Sequence, residues 1–250
     1  MKQLLHFFFC TSLLIANAQD KNQFYALDAH MNQTVLDSSK YILWIHEMDS
    51  ARWQWDYYYT WGSLVKSTTY ADHDGTVKNG RFCIYNTFGN LDSTGIYENG
   101  KKNGLFFKLR RVTKDSFEFL NRYEYEQDSL VRFTNLSAGK KNQMQTDTTR
   151  ELESDYPGGR PEWLSYLTRN LRYPERALNK DIQGSVRVCF LVDTTGAVKD
   201  PFIVKSIEYS LDQESIKLIN NSGKWVAGQK NGIPITTYKI EPVIFKLEHH

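Results

Sequence analysis

The stretch Tyr156–Leu247 reads YPGGRPEWLSYLTRNLRYPERALNKDIQGSVRVCFLVDTTGAVKDPFIVKSIEYSLDQESIKLINNSGKWVAGQKNGIPITTYKIEPVIFKL, and the fold is decided there. Gly158 and Gly159 break the chain, and Pro161 suits the first turn of a helix. Apolar Trp163, Leu164, Leu167 and Leu171 then mark one helical face. Pro174 stops that piece and opens a second short turn through Ala177 and Leu178. From Ser185 to Asp193 the period becomes two. Val186, Val188, Phe190 and Val192 point one way, and Arg187, Cys189 and Leu191 the other. Asp193-Thr194-Thr195-Gly196 is a turn, and a second strand, Ala197 to Ser206, returns from it. Leu211, Ser215, Leu218 and Ile219 fit the inner face of a helix starting near Asp212. Asn231-Gly232 makes another turn, and Thr236 to Leu247 is the last strand.

Proline placement orders these strands, because proline has no amide hydrogen for a ladder and belongs on edges. Pro201 lies in the second strand and Pro242 in the last, whereas the first has none. The expected order is second, first, last, with two edges open to solvent. An open edge is a template for another chain. The candidate binding surface is therefore the last strand, at Thr237, Tyr238, Lys239, Ile240, Glu241, Val243, Ile244 and Phe245.

Several runs here resemble the C-terminal domain of TonB-type proteins. They are Tyr156-Pro157-Gly158-Gly159, the Asn170-Leu171-Arg172-Tyr173-Pro174-Glu175 run with Ala177, and Gly184-Ser185-Val186. Asp193 with Gly196, Ser210-Leu211-Asp212, Lys224-Trp225 and Pro242-Val243-Ile244-Phe245 complete the set. The family usually has a proline shortly after the Lys-Trp pair, where Ala227 stands here. The resemblance implies a domain that receives a short extended peptide of an outer-membrane transporter, or of another envelope protein, by strand addition. TonB itself has a membrane anchor and a long proline-rich spacer. Neither is read in this chain, so it is not expected to carry force across a periplasm alone.

Upstream, Gln19 to about Ser137 is rich in tyrosine and tryptophan, with internal repetition. Tyr58-Tyr59-Thr60-Trp61-Gly62-Ser63-Leu64 returns as Tyr85-Asn86-Thr87-Phe88-Gly89-Asn90-Leu91, and a tyrosine, Tyr70 or Tyr97, follows each. Lys78-Asn79-Gly80-Arg81-Phe82 returns as Lys102-Asn103-Gly104-Leu105-Phe106, and a worn third copy is read at Tyr125 to Leu130. One hairpin cannot bury its apolar face alone, but stacked copies can. The pattern resembles MORN-type repeats and the tyrosine-glycine repeats of YwqK-like proteins, which are general interaction surfaces. The alternation of Trp53, Trp55, Tyr57 and Tyr59 is read as repeat core, or as a platform for carbohydrate or peptidoglycan.

The expected class is α+β: an all-β repeat domain of stacked hairpins, then a three-stranded antiparallel sheet with helices on one face. The divisions are a signal peptide at 1–18, repeats at 19–137, a polar linker at 138–154 and the TonB-like domain at 155–248. Lys2, the apolar run Leu4 to Ile15 and Ala16-Asn17-Ala18 predict an exported chain cleaved after Ala18. The apolar run falls short of the roughly 20 residues of a membrane helix. An uncleaved leader acting as an anchor is the alternative, and Cys10 raises that of a lipoprotein.

A net charge of +2 over 250 residues gives nucleic-acid binding no support. Cys83 and Cys189 read as buried small hydrophobes, with an interdomain disulfide as the alternative. Asp72-His73-Asp74-Gly75 reads as a turn, and His249-His250 as a solvated tail. The chain shows no nucleophile elbow, phosphate loop or zinc-ligand spacing, so no catalytic residue, metal or cofactor is assigned. The expected partner is a protein segment, or a second copy joined through an edge strand. A cell-envelope module binding glycan or a surface protein through the repeats is the alternative.

Overall fold

The computed structural model describes residues 22–49, 51–111, 117–136 and 151–247. The leader with Cys10 and the Ala18 site, most of the expected linker, and His249-His250 lie outside the described residues.

The front half is one antiparallel sheet of ten strands. They are β1 (Asn22–Leu27), β2 (Tyr41–Asp49), β3 (Arg52–Tyr59), β4 (Leu64–Tyr70), β5 (Lys78–Tyr85), β6 (Leu91–Glu98), β7 (Lys101–Lys102), β8 (Gly104–Arg111), β9 (Phe117–Glu126) and β10 (Ser129–Asn135). Each pairs with its neighbour in sequence, except that short β7 pairs only with β6, which β8 also joins. The repeated heptapeptides become equivalent turns. Tyr59 N–H donates to the Ser63 carbonyl at 3.0 Å, and Asn86 N–H to the Asn90 carbonyl at 2.9 Å. Tyr58 and Leu64 are buried in the first copy, Tyr85 and Leu91 in the second. At the worn copy, Gln127 and Asp128 both take positive φ, the geometry of a tight hairpin turn.

One face of this sheet is an aromatic ladder. Phe82, Tyr97, Phe106 and Tyr125 meet edge to face at 5.7, 5.6 and 5.2 Å. Such pairs contribute about 0.5–1.5 kcal/mol beyond their burial. Lys78 lies 4.7 Å from the Tyr97 ring, and Lys102 4.7 Å from the Tyr125 ring. The two lysines come from the two copies of the Lys-Asn-Gly motif.

The back half adds β11 (Glu151–Leu152), α1 (Gly159–Asn170), α2 (Glu175–Leu178), β12 (Gly184–Val192), β13 (Val198–Lys205), α3 (Tyr209–Asn220), β14 (Gly228–Lys230), β15 (Ile233–Ile235) and β16 (Thr237–Phe245). The main sheet has the order β13-β12-β16, the order that the prolines predict. A second small sheet, β11-β14-β15, pairs Glu151 with Lys230 and Leu152 with Gln229. The expected strand Thr236–Leu247 begins one residue later and ends at Phe245; β15 precedes it across Thr236.

Alternation in β12 has the expected consequence. Val186, Val188, Phe190 and Val192 are fully buried, each worth roughly 1.5–3 kcal/mol of transfer free energy. Beneath them Trp163, Tyr156 and Trp225 form an aromatic cluster with ring separations of 5.2–5.3 Å. Two helix expectations shift. Leu164 faces solvent, because Trp163 and Leu167 alone fill the buried stripe of α1. Helix α3 begins at Tyr209, because the Glu208 side chain caps it by accepting the Ser210 amide.

The two halves share one core. Trp44, Tyr58, Leu64, Cys83, Tyr85, Leu91 and Leu109 of the front sheet belong to the same buried cluster as the back-half residues. The seam is polar as well as apolar. Tyr85 Oη donates to the Ile203 carbonyl at 2.8 Å, and the Ser206 amide donates to the Gly89 carbonyl at 2.8 Å. Asn90 forms a β-bridge with Lys205. The expectation of two open edges is therefore corrected: the front sheet covers the C-terminal end of β13. Cys83 and Cys189 are buried free thiols, not a disulfide. Burial raises the Cys83 thiol and pushes that of Cys189 up to about 12.

Candidate functional site

Strand β16 pairs with β12 without a register shift, from Thr237 opposite Val192 to Phe245 opposite Gly184. No strand among the described residues pairs with its other side. The strand's two faces differ. Val243 and Phe245 point into the core, where Phe245 meets the Tyr173 ring edge to face at 5.5 Å. Tyr238, Ile240 and Ile244 are exposed on the opposite face, at 63, 44 and 62% of their free surface. Of the eight residues singled out in the sequence, Val243 and Phe245 can therefore offer a partner only backbone groups.

Lys239 and Glu241 lie on the inward face near the N-terminal turn of α1. Arg160 Nη1 donates to Glu241 Oε2 at 2.8 Å, and Lys239 Nζ lies 3.9 Å from Oε1. Burial raises the Glu241 pKa, opposed by the charges of Arg160 and Lys239. Arg160 was not legible as part of this edge. Its only signal is that it follows Gly158-Gly159, whose positive φ values turn the chain into α1.

A backbone clamp holds the neighbourhood in place. Trp225 N–H donates to the Gly196 carbonyl at 2.9 Å, and Val226 N–H to the Asp155 carbonyl at 2.8 Å. A Cβ on Gly196, at φ +81°, would lie 2.1 Å from the Trp225 carbonyl oxygen. The Asp193 carboxylate accepts the amides of Thr195 and Ala197, which fixes the turn before Gly196. Ala227 follows directly and leads into β14.

The other residues weighed in the sequence lie elsewhere. Trp53, Trp55 and Tyr57 are half-buried around a small cluster of Leu27, Leu43 and Ile45, and Trp55 Nε1 donates to the His73 carbonyl at 3.1 Å. Asp72 forms a turn, accepting the amides of Thr76 and Val77. Among the described residues no helix is long and apolar enough to cross a membrane.

Residues 169–247 match the family model described as Gram-negative bacterial TonB protein C-terminal. That is about a third of the chain. A solved structure, the NMR solution structure of Helicobacter pylori TonB-CTD (residues 179-285), is 24% identical, covering 38% of this chain and 89% of that one with a TM-score of 0.29. No curated protein matches.

Proposed function

We propose that the protein is an exported, non-enzymatic interaction module whose β16 edge takes an extended segment of an outer-membrane transporter, or of another envelope protein, by strand addition. The observation that carries this reading is a registered strand with one unpaired side, lying within the residues that match the TonB C-terminal family. Pro242 has no amide hydrogen, so its nitrogen belongs on the side away from β12. By strand alternation Tyr238, Ile240 and Ile244 would then direct their amides outward too. Each main-chain bond contributes about 0.5–1.5 kcal/mol net, so a few of them suit a reversible grip. The front sheet, a ladder of hairpins similar to MORN-type repeats, would hold the module and seal the other edge. The mature chain would begin after Ala18 and reside in the periplasm.

The test is site-specific photo-crosslinking from Tyr238 and Ile240 of the full chain in cells. Capture of an outer-membrane transporter or other envelope protein supports the reading. It should be lost in Ile240→Pro and Ile244→Pro variants that keep the parent's unfolding midpoint. Capture of nothing, or of only a second copy of this chain, defeats it. Phe245→Pro is unsuitable as a probe, because Phe245 is core.

A further inference from the structure

We infer that the cleft between the front sheet and helix α3 is a binding site for an uncharged, polyhydroxylated ligand, a short oligosaccharide. The cleft encloses about 900 Å³. That is the upper end of the usual range for ligand sites, roughly 300–1,000 Å³. It lies on the sheet face opposite Trp53 and Trp55, and no residue of β16 lines it.

Its first wall is a polar grid set by strand register. His46 on β2 stands opposite Gln54 on β3, which stands opposite Thr69 on β4. In the next row Trp44 stands opposite Asp56, and Asp56 opposite Ser67. Gln54 Nε2 donates to the Asp56 carboxylate at 2.9 and 3.0 Å, and His46 Nε2 lies 3.1 Å from it. Farther along the same face, Trp44 and Tyr58 pack against Tyr209, as an ordinary core face would. Folding alone gives no reason to interrupt that face with a histidine, a glutamine, a carboxylate and two hydroxyls, because polar groups weaken a packing surface.

The second wall comes from the other half of the chain. Gln213, Lys217 and Asn220 of α3 line the same cleft, with Ile216 between them. The side-chain amides of Gln213 and Asn220, both in α3, make no hydrogen bond to any described residue.

Charge decides the ligand class. The ionic groups lining the cleft are of both signs, Arg52, Arg81, Lys199 and Lys217 against Glu47, Asp56, Asp200 and Asp212; Arg52 pairs with Asp49 at 2.6 Å, Lys217 with Glu214 at 3.4 Å, and Arg81 with Asp200. Among these charges lie neutral amides and hydroxyls able both to donate and to accept, and apolar surface at Trp44, Met48, Phe202 and Ile216 that suits the C–H faces of a sugar ring. Vicinal hydroxyls of a sugar meet such groups in pairs. A strongly charged ligand would have to displace existing ion pairs.

The experiment is isothermal titration of the full mature chain with three neutral tetrasaccharides, linked as in chitin, cellulose and starch, and with a uronate tetrasaccharide as the charged counterpart. At least one neutral probe is expected to bind. Gln213→Ala, Asn220→Ala and Ser67→Ala should each weaken it by about three- to tenfold, the loss of one hydrogen bond. Trp53→Ala, on the opposite face, should leave it unchanged. Thermal unfolding of each variant serves as the folding control; Gln213 and Asn220 are exposed and tolerate truncation. The proposal is overturned if no neutral probe binds at roughly 10 mM, enough to fill even a millimolar site. It is equally overturned if only the uronate binds, or if the three cleft variants bind like the parent.

Discussion

The backbone amide of Leu64 donates to the Ser206 hydroxyl at 2.7 Å, joining residues 142 positions apart. Ser206 Oγ in turn donates to Asp212 Oδ2 at 2.5 Å. A strand of the front sheet, the end of β13 and the first turn of α3 thus share one buried hydroxyl. Removing it in Ser206→Ala strands the Leu64 amide, at about 1–3 kcal/mol for a buried group without a partner, and takes one hydrogen bond from the Asp212 carboxyl, which keeps the Ile207 amide. The urea midpoint of the whole chain should fall by the equivalent of about 2 kcal/mol or more, in a single transition. Two separated transitions would show that the halves unfold independently.

Asp212 itself makes stability depend on pH. Burial is the main cause that pushes its carboxyl up to about 8, and the Glu208 charge adds to it; the Ser206 hydroxyl and Ile207 amide act the other way. The folded value lies above the ordinary aspartate value of 3.8. Proton uptake therefore favours the folded state, an effect complete below about pH 4 and lost as the pH rises through about 8. The parent should lose stability relative to Asp212→Asn between those limits, measured as paired urea midpoints. Parallel pH curves for the two proteins would contradict this.

Arg176 carries several contacts at once. Its Nε donates to buried Glu208 at 2.6 Å, its Nη2 to the Thr60 carbonyl at 3.2 Å, and its guanidinium lies over Trp61 and Tyr209 at 4.3 and 4.6 Å. Arg176→Ala leaves the Glu208 carboxylate buried without its cation, a loss of about 3 kcal/mol. Arg176→Lys should recover only part of it, since an ammonium cannot fill the planar, forked contacts. Full recovery by lysine, read from unfolding midpoints, would show that only the charge matters.

Two glycines with similar φ should respond differently to alanine. Gly196 has φ +81° and a Trp225 carbonyl oxygen 2.1 Å from the added Cβ, whereas Gly223 has φ +79° and nothing within 4 Å. Gly223→Ala should show backbone strain alone, about 1 kcal/mol. Gly196→Ala must also move Trp225 and should be destabilised at least twice as much. Equal losses in thermal unfolding would rule out the clamp.

Much of the back half was legible because its signals are local. Period two in Ser185–Asp193, the Asp193–Gly196 turn and the positions of Pro201 and Pro242 give strands, hairpin and sheet order without distant information. The repeats told as much about the hairpin ladder, since Tyr58/Leu64 and Tyr85/Leu91 recur with their turn between. The β16 edge was readable for the same reason. Arg160 was not, because its partner Glu241 lies 81 residues away and neither position has a pattern of its own.

The sequence by itself determined the three strands of the main C-terminal sheet, which of them is central and which are its edges, and the repeated turns of the front sheet; it did not show the small sheet β11-β14-β15. Only the tertiary structure decided that the front sheet closes over the end of β13, welding two repeating patterns into one core, and that a polar cleft stays open beside the weld. The reason is physical: periodicity reports which side of an element is apolar, but not which surface meets it. That meeting depends on shape and on long-range hydrogen bonds such as Leu64 to Ser206.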